Sequence, residues 1–217
     1  MSLEGGLSRR RCLGGAVTAG ALSVLSLPQA ARAGAQIEEP LIDSVRTALS
    51  SAVHNKAPPV PEFSSTEARL TYLRWLGEMS ERLKKKVPEP QARIEFLQTV
   101  WYEARRSALD VSLVLGLIQV ESNFRKFAVS SAGARGLMQV MPFWTRVIGD
   151  GDSAQLFRMQ TNLRFGCVIL RHYLGLENGD LFLTLGRYNG SRGKAPYPNA
   201  VFANQRNWVF VDRASNA

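Results

Sequence analysis

Glu121 closes a run, Val111 to Val120, that is apolar except for Ser112 and Gln119. Such a segment predicts a core helix, and a carboxylate at its end loses solvation, which favours the protonated form. The partial negative charge at a helix C-terminus acts in the same direction. Both effects move the carboxyl toward what a general acid needs. Ser122, Asn123 and Phe124 follow, then a small-residue loop, then Gly136-Leu137-Met138-Gln139-Val140-Met141-Pro142. A lone buried glutamate is more often structural, with its hydrogen bond made. The polar, Gly-rich loop so close behind makes the wall of a cleft the expected setting here.

Other chemistries lack their residues. The two histidines, His54 and His172, share no metal-ligand spacing, and no nucleophile-elbow pattern offers a serine to either. Phosphate-binding Gly loops are missing. Asp150-Gly151-Asp152 starts like a calcium loop, but the later ligands do not follow. The expectation is no metal and no cofactor. Arginines are scattered without a basic helix or stacking platform, which argues against nucleic acid as a partner.

The elements that would position Glu121 read as helices. Pro40 to Val53 shows weak helical periodicity, and Ala57-Pro58-Pro59-Val60-Pro61 reads as an extended connector. Ser64 with Glu67 forms a capping-box pattern for a helix to about Lys86, its buried face marked by Leu70, Leu73, Trp75, Leu76, Met79 and Leu83. A helix over about 91–107 turns Ile94, Leu97, Val100 and Trp101 inward. Asp110 is a natural N-cap for the helix that ends at Glu121. Gly133 and Gly136 mark irregular backbone with at most a small hairpin, and Pro142 suits the first turn of a helix to Ile148. Helices follow over about 161–174 and 180–188, with Gly190 as a stop. A last helix starts near Pro198 and includes Val201, Phe202, Trp208 and Val209.

The chain of 217 residues, 45% hydrophobic, suits one domain with an extension. Its formal charge is +9, of which residues 1–33 carry +3, leaving +6 for the rest. That surplus favours acidic partners, whether nucleic acid, anionic lipid or an anionic cell-wall polymer, without choosing among them. Arg9, Arg10 and Arg11, the apolar run Cys12 to Leu27, and Ala31-Arg32-Ala33 read as an export signal cleaved before Gly34, similar to a twin-arginine signal. The run is short for a membrane span, so no stable span is expected after cleavage. Removing Cys12 would leave Cys167 alone in an apolar stretch, as an inert core thiol.

Residues Leu113 to Thr145 resemble family 1 lytic transglycosylases of the soluble lytic transglycosylase type, in glycoside hydrolase family 23 with the goose-type lysozymes. Glu121-Ser122 and Gly136 to Pro142 carry the first two motifs. Asn162, Gly166, Leu170 and Tyr173-Leu174, then Arg187-Tyr188-Asn189-Gly190, carry the third, so the resemblance spans about 89–208. It implies a mainly α, lysozyme-like helical catalytic domain with minimal β structure and an N-terminal helical extension. It implies cleavage of the β-1,4 bond between N-acetylmuramic acid and N-acetylglucosamine. Glu121 would protonate the glycosidic oxygen, then take the proton of the C6 hydroxyl as a 1,6-anhydro ring closes. One carboxyl group then suffices where most glycosidases need two, and no acidic residue lies between Glu121 and Asp150. By family position Tyr188 would hydrogen-bond Glu121. Ser130, Gln139 and Asn189 would bind sugar, with Met138 and Met141 lining the cleft. Gly136 would let the backbone approach a partner closely, or simply serve a turn.

Arg187 and Ser191-Arg192-Gly193 depart from the family pattern, which leaves substrate length and peptide preference open. The domain reading is an export signal over 1–33, a helical extension over 34–88 and the transglycosylase domain over 89–217. The extension reads as a brace, with a docking arm for cell-wall or secretion machinery as the alternative. The expected partner is peptidoglycan glycan, in the periplasm or cell envelope. A hydrolytic muramidase and a non-catalytic peptidoglycan-binding protein are the rival readings.

Overall fold

The structure is a computed structural model that describes residues 36–54 and 61–213. The expected signal, its Cys12 and most of the Pro-rich connector lie outside the described residues. Helices run over α1 (Asp43–His54), α2 (Thr66–Leu83), α3 (Pro90–Arg106), α4 (Val111–Glu121), α5 (Phe143–Ile148), α6 (Met159–Leu176), α7 (Leu181–Asn189) and α8 (Pro196–Gln205). Short 3-10 turns cover Ser153–Phe157 and Arg206–Trp208. The protein is mainly α, as its sequence implied. The small hairpin is reduced to isolated antiparallel bridges, Val129 with Arg135 and Arg135 with Val140. No described helix is long and apolar enough to cross a membrane.

Helix α4 forms the centre. Asp110 caps it, accepting from Leu113 N at 2.8 Å, and Val114, Leu115, Leu117 and Ile118 are wholly buried. Gly116 lets α8 lie directly on it, since a Cβ there would sit 2.7 Å from Gln205 N. Gln205 also donates to Ser112 Oγ at 3.1 Å. Helix α6 packs beside α3 and α7, buries Leu163 to Leu170, and includes the free, buried Cys167. Buried Glu103 on α3 accepts from Arg164 of α6 at 2.8 and 3.0 Å and pairs with Arg106 at 3.3 Å.

Helix α2 corrects two expectations. Its cap is Ser65, which accepts from Ala68 N at 3.1 Å, rather than Ser64. Leu70 and Leu73 face solvent at 43% and 48% exposure, while Tyr72 joins Trp75, Leu76, Met79 and Leu83 inside. The buried set repeats at steps of three and four, one helical stripe, and Leu70 and Leu73 lie off it. At the other end, the last helix starts at Pro196 and stops at Gln205, so Trp208 stands in the 3-10 turn and Val209 beyond it.

The segment before α1 is fastened to the helices behind it. Trp144 Nε1 donates to Gln36 Oε1 at 2.9 Å, and Arg187 reaches Glu39 at 2.7 Å. Arg187 and Arg192 also converge on buried Glu177 at 2.6 and 2.8 Å, which holds that carboxyl down at about 2. The two arginines that depart from the family pattern therefore belong to one ion cluster.

Candidate active site

Glu121 is the last residue of α4 and is 5% exposed. The chain turns sharply behind it, with Asn123 and Phe124 at φ +49 and +66. A bulky residue in that region is strained. Phe124 is held there by edge-on contacts with Phe96 and Trp208, at 5.8 and 5.2 Å.

Tyr197, the second residue of α8, donates from its hydroxyl to Glu121 Oε1 at 2.5 Å. The other oxygen, Oε2, is buried and has no hydrogen-bond partner among the described residues. Burial pushes the Glu121 carboxyl from 4.5 up to about 8, against the Tyr197 hydrogen bond, which pulls it down. At neutral pH the group is mainly the acid. Since Oε1 already accepts a proton, the acidic hydrogen belongs on Oε2.

Tyr188 is where the expectation fails. Its hydroxyl donates to Met138 O at 2.8 Å, and the phenol on Glu121 is Tyr197 instead. Tyr188 is wholly buried, and its hydroxyl supports the loop through Met138 O. The signal for Tyr197 was Pro196, which opens α8 one residue earlier and fixes the backbone at the first helical position. A helix that starts near Pro198 would place Tyr197 in a loop, with no reason to point inward.

The loop over 136–141 is clamped to α6. Asn162 accepts from Met138 N at 2.8 Å and donates to Arg135 O and Leu156 O, both at 2.8 Å. Gly136 makes room for that amide: at φ +76, a Cβ there would meet Asn162 Nδ2 at 2.4 Å. Close approach is thus its role, and a Cβ at Gly166 would strike Met138 Sδ at 2.4 Å in the same way.

The expected sugar-contacting residues separate into two groups. Met138 is 0% exposed and seated against Gly166, so its side chain is core and lines no cleft. Gln139, 2% exposed at φ +48, spends its amide on Ala128 O and Gly136 O at 3.1 and 2.9 Å. Asn189 is buried at 5% exposure. Ser130 and Met141 are half-buried and keep surface, although Ser130 Oγ also accepts from Ala134 N at 3.1 Å. Tyr197, itself 2% exposed, takes the space next to the carboxyl. Among the described residues no group of His, Cys, Asp and Glu could hold a metal.

Fold and site define a mainly helical domain whose apolar, buried helix α4 ends on a single carboxyl held by a phenol. The chain belongs to the Transglycosylase SLT domain family, whose model matches residues 99–208. It is 39% identical over 120 residues to membrane-bound lytic murein transglycosylase C of Actinobacillus pleuropneumoniae, covering 48% of this chain and 33% of that one. With the protein of that name from Mannheimia succiniciproducens it shares 48% identity over 48 residues, or 22% of this chain and 13% of that one. The chain thus spans a third or less of the length of these curated relatives. An inactive mutant of lytic transglycosylase Slt from Pseudomonas aeruginosa matches at TM-score 0.41 and 24% identity, over 68% of this chain and 27% of that one.

Proposed function

We infer that the protein is a peptidoglycan lytic transglycosylase of the cell envelope, with a lysozyme-like catalytic domain over 89–217. One observation carries this reading: a single carboxyl, pushed up to about 8 by burial, with one oxygen held by Tyr197 and the other left to act. Glu121 Oε2 gives its proton to the glycosidic oxygen as the bond to the muramoyl C1 breaks. The resulting carboxylate then takes the proton of the muramoyl C6 hydroxyl, whose oxygen closes on C1 as a 1,6-anhydro ring. The nucleophile belongs to the substrate, so no second carboxylate is required. The Tyr197 hydrogen bond fixes the carboxyl plane and stabilises the anion between the two steps.

Ser130 and Met141 offer the surface for sugar, while Gln139, Asn189 and Tyr188 set the loop and helix that present it. The segment over 34–88 serves as a brace, in keeping with the Gln36–Trp144 and Glu39–Arg187 contacts. Family membership supports murein as the substrate. Mass spectrometry of digested sacculi tests the assignment. Products ending in 1,6-anhydromuramic acid are expected from the parent and not from Glu121→Gln. Reducing ends in their place would mean that water, not the C6 hydroxyl, is the nucleophile.

A further inference from the structure

Phe127 is the one aromatic side chain among the described residues that stands fully in solvent, at 71% exposure. It is not isolated. Its ring centroid lies 6.1 Å from that of Phe157 in a tilted pair, and Val129, 61% exposed, is two residues away. Cations flank both rings, with Lys126 Nζ 5.4 Å from the Phe127 centroid and the Arg135 guanidinium 5.5 Å from that of Phe157. Arg135 is fixed by Ser153, through its carbonyl at 2.9 Å and its hydroxyl at 3.0 Å.

This platform is tied to the catalytic loop. Ala128, next to Phe127, accepts from Gly136 N at 2.9 Å and from Gln139 Nε2 at 3.1 Å. Phe127 stands six positions after Glu121, so it lies within about 20 Å of the acid by chain length alone. From 122 to 149 the sequence contains no acidic residue, but it does contain Arg125, Lys126, Arg135 and Arg146. Of these, only Arg146 makes an ion pair among the described residues, with Glu38 at 3.8 Å. Phe127, exposed against the half-buried Phe157 and flanked by cations that make no ion pair among the described residues, has no structural task that buried neighbours could explain. It suits a ligand with an apolar ring face and a nearby anion.

We propose that Phe127 and Phe157, with Lys126, form an outer subsite of the transglycosylase for peptide-bearing glycan. A sugar ring rests its C–H face on Phe127, and a carboxylate of the stem peptide meets Lys126. The identity of the ligand rests on the proposed function; the platform itself does not. The subsite would make the enzyme prefer strands that still carry their peptides.

The test uses the full chain carrying Glu121→Gln, so that binding to purified sacculi is read without turnover. Adding Phe127→Ala weakens retention roughly three- to tenfold, the range of one aromatic contact, and Phe127→Tyr restores it. Lys126→Ala weakens retention on intact sacculi but not on glycan stripped of its stems by an amidase. Leu73→Ala, which removes an exposed apolar group on α2, serves as the control. In the active enzyme, Phe127→Ala raises KM more than it lowers kcat. Unaltered sacculus binding by Phe127→Ala overturns the subsite. So does a loss confined to vesicles containing phosphatidylglycerol, which would make this face a membrane contact. If the parent yields no anhydro product while Phe127→Ala still weakens sacculus binding, the reaction is misassigned and the glycan subsite stands.

Discussion

The Tyr197 hydroxyl meets Glu121 Oε1 across 76 positions of sequence, joining the start of α8 to the end of α4. Burial sets the protonation of the acid, and this contact, rather than one from Tyr188, sets its direction. Tyr197→Phe should lower kcat roughly ten- to a hundredfold, the worth of a hydrogen bond to a charged group. It should also raise the Glu121 pKa further, because the lost bond pulled it down. The alkaline limb of the pH–rate profile then moves up while the rate falls. A slower enzyme with an unmoved limb would separate the phenol from the titration.

Tyr188→Phe should behave differently. It strips Met138 O of its donor in a wholly buried setting, at a cost of about 1–3 kcal/mol in urea denaturation. The alkaline limb should shift less than in Tyr197→Phe.

Glu121→Gln should lower transglycosylation about 10²–10⁴-fold and, at alkaline pH, stabilise the fold. The folded carboxyl keeps its proton to about pH 8, whereas the unfolded one releases it near 4.5. The stability this one group supplies is therefore full below pH 4.5 and falls as pH rises toward 8. The glutamine variant lacks that slope, a difference on the order of 4 kcal/mol by pH 8. Melting curves at pH 4 and pH 8 read it directly.

Glu177 should titrate with the opposite sign. Arg192 and Arg187 hold its carboxyl at about 2, below the ordinary 4.5. The stability it supplies is present above pH 4.5 and disappears as pH falls toward 2. Glu177→Gln should flatten the acid limb of a stability profile across that window.

Gly136→Ala should cost at least about 2 kcal/mol, since strain at positive φ adds to a clash with Asn162 and Leu156. Activity should fall with it, because the same loop positions Gln139 and Met141. Thermal melting and product assays on one preparation check both effects.

What the sequence disclosed was local. Asp110 and Gly190 could be recognised because a cap acts within three or four residues of itself. The elevated Glu121 could be recognised because its own helix is apolar. Pro196 marks the helical start that holds Tyr197, but the contact with Glu121 is not local: it depends on how α8 crosses α4, and that crossing depends on Gly116 having no side chain. Met138 and Gln139 sit where the motif suggested, but backbone hydrogen bonds and core packing claim their side chains. Leu70 and Leu73 looked inward because leucines normally are, although the stripe belonged to Tyr72 and Trp75.

The seating of α8 on Gly116 has a consequence for assembly. Glu121 leaves the ribosome long before the phenol that completes it, so a chain halted ahead of residue 196 carries an unsupported acid. On the proposed function, competence would therefore arrive late in synthesis, and clipping or loosening α8 would weaken the reaction by freeing the carboxyl from its phenol.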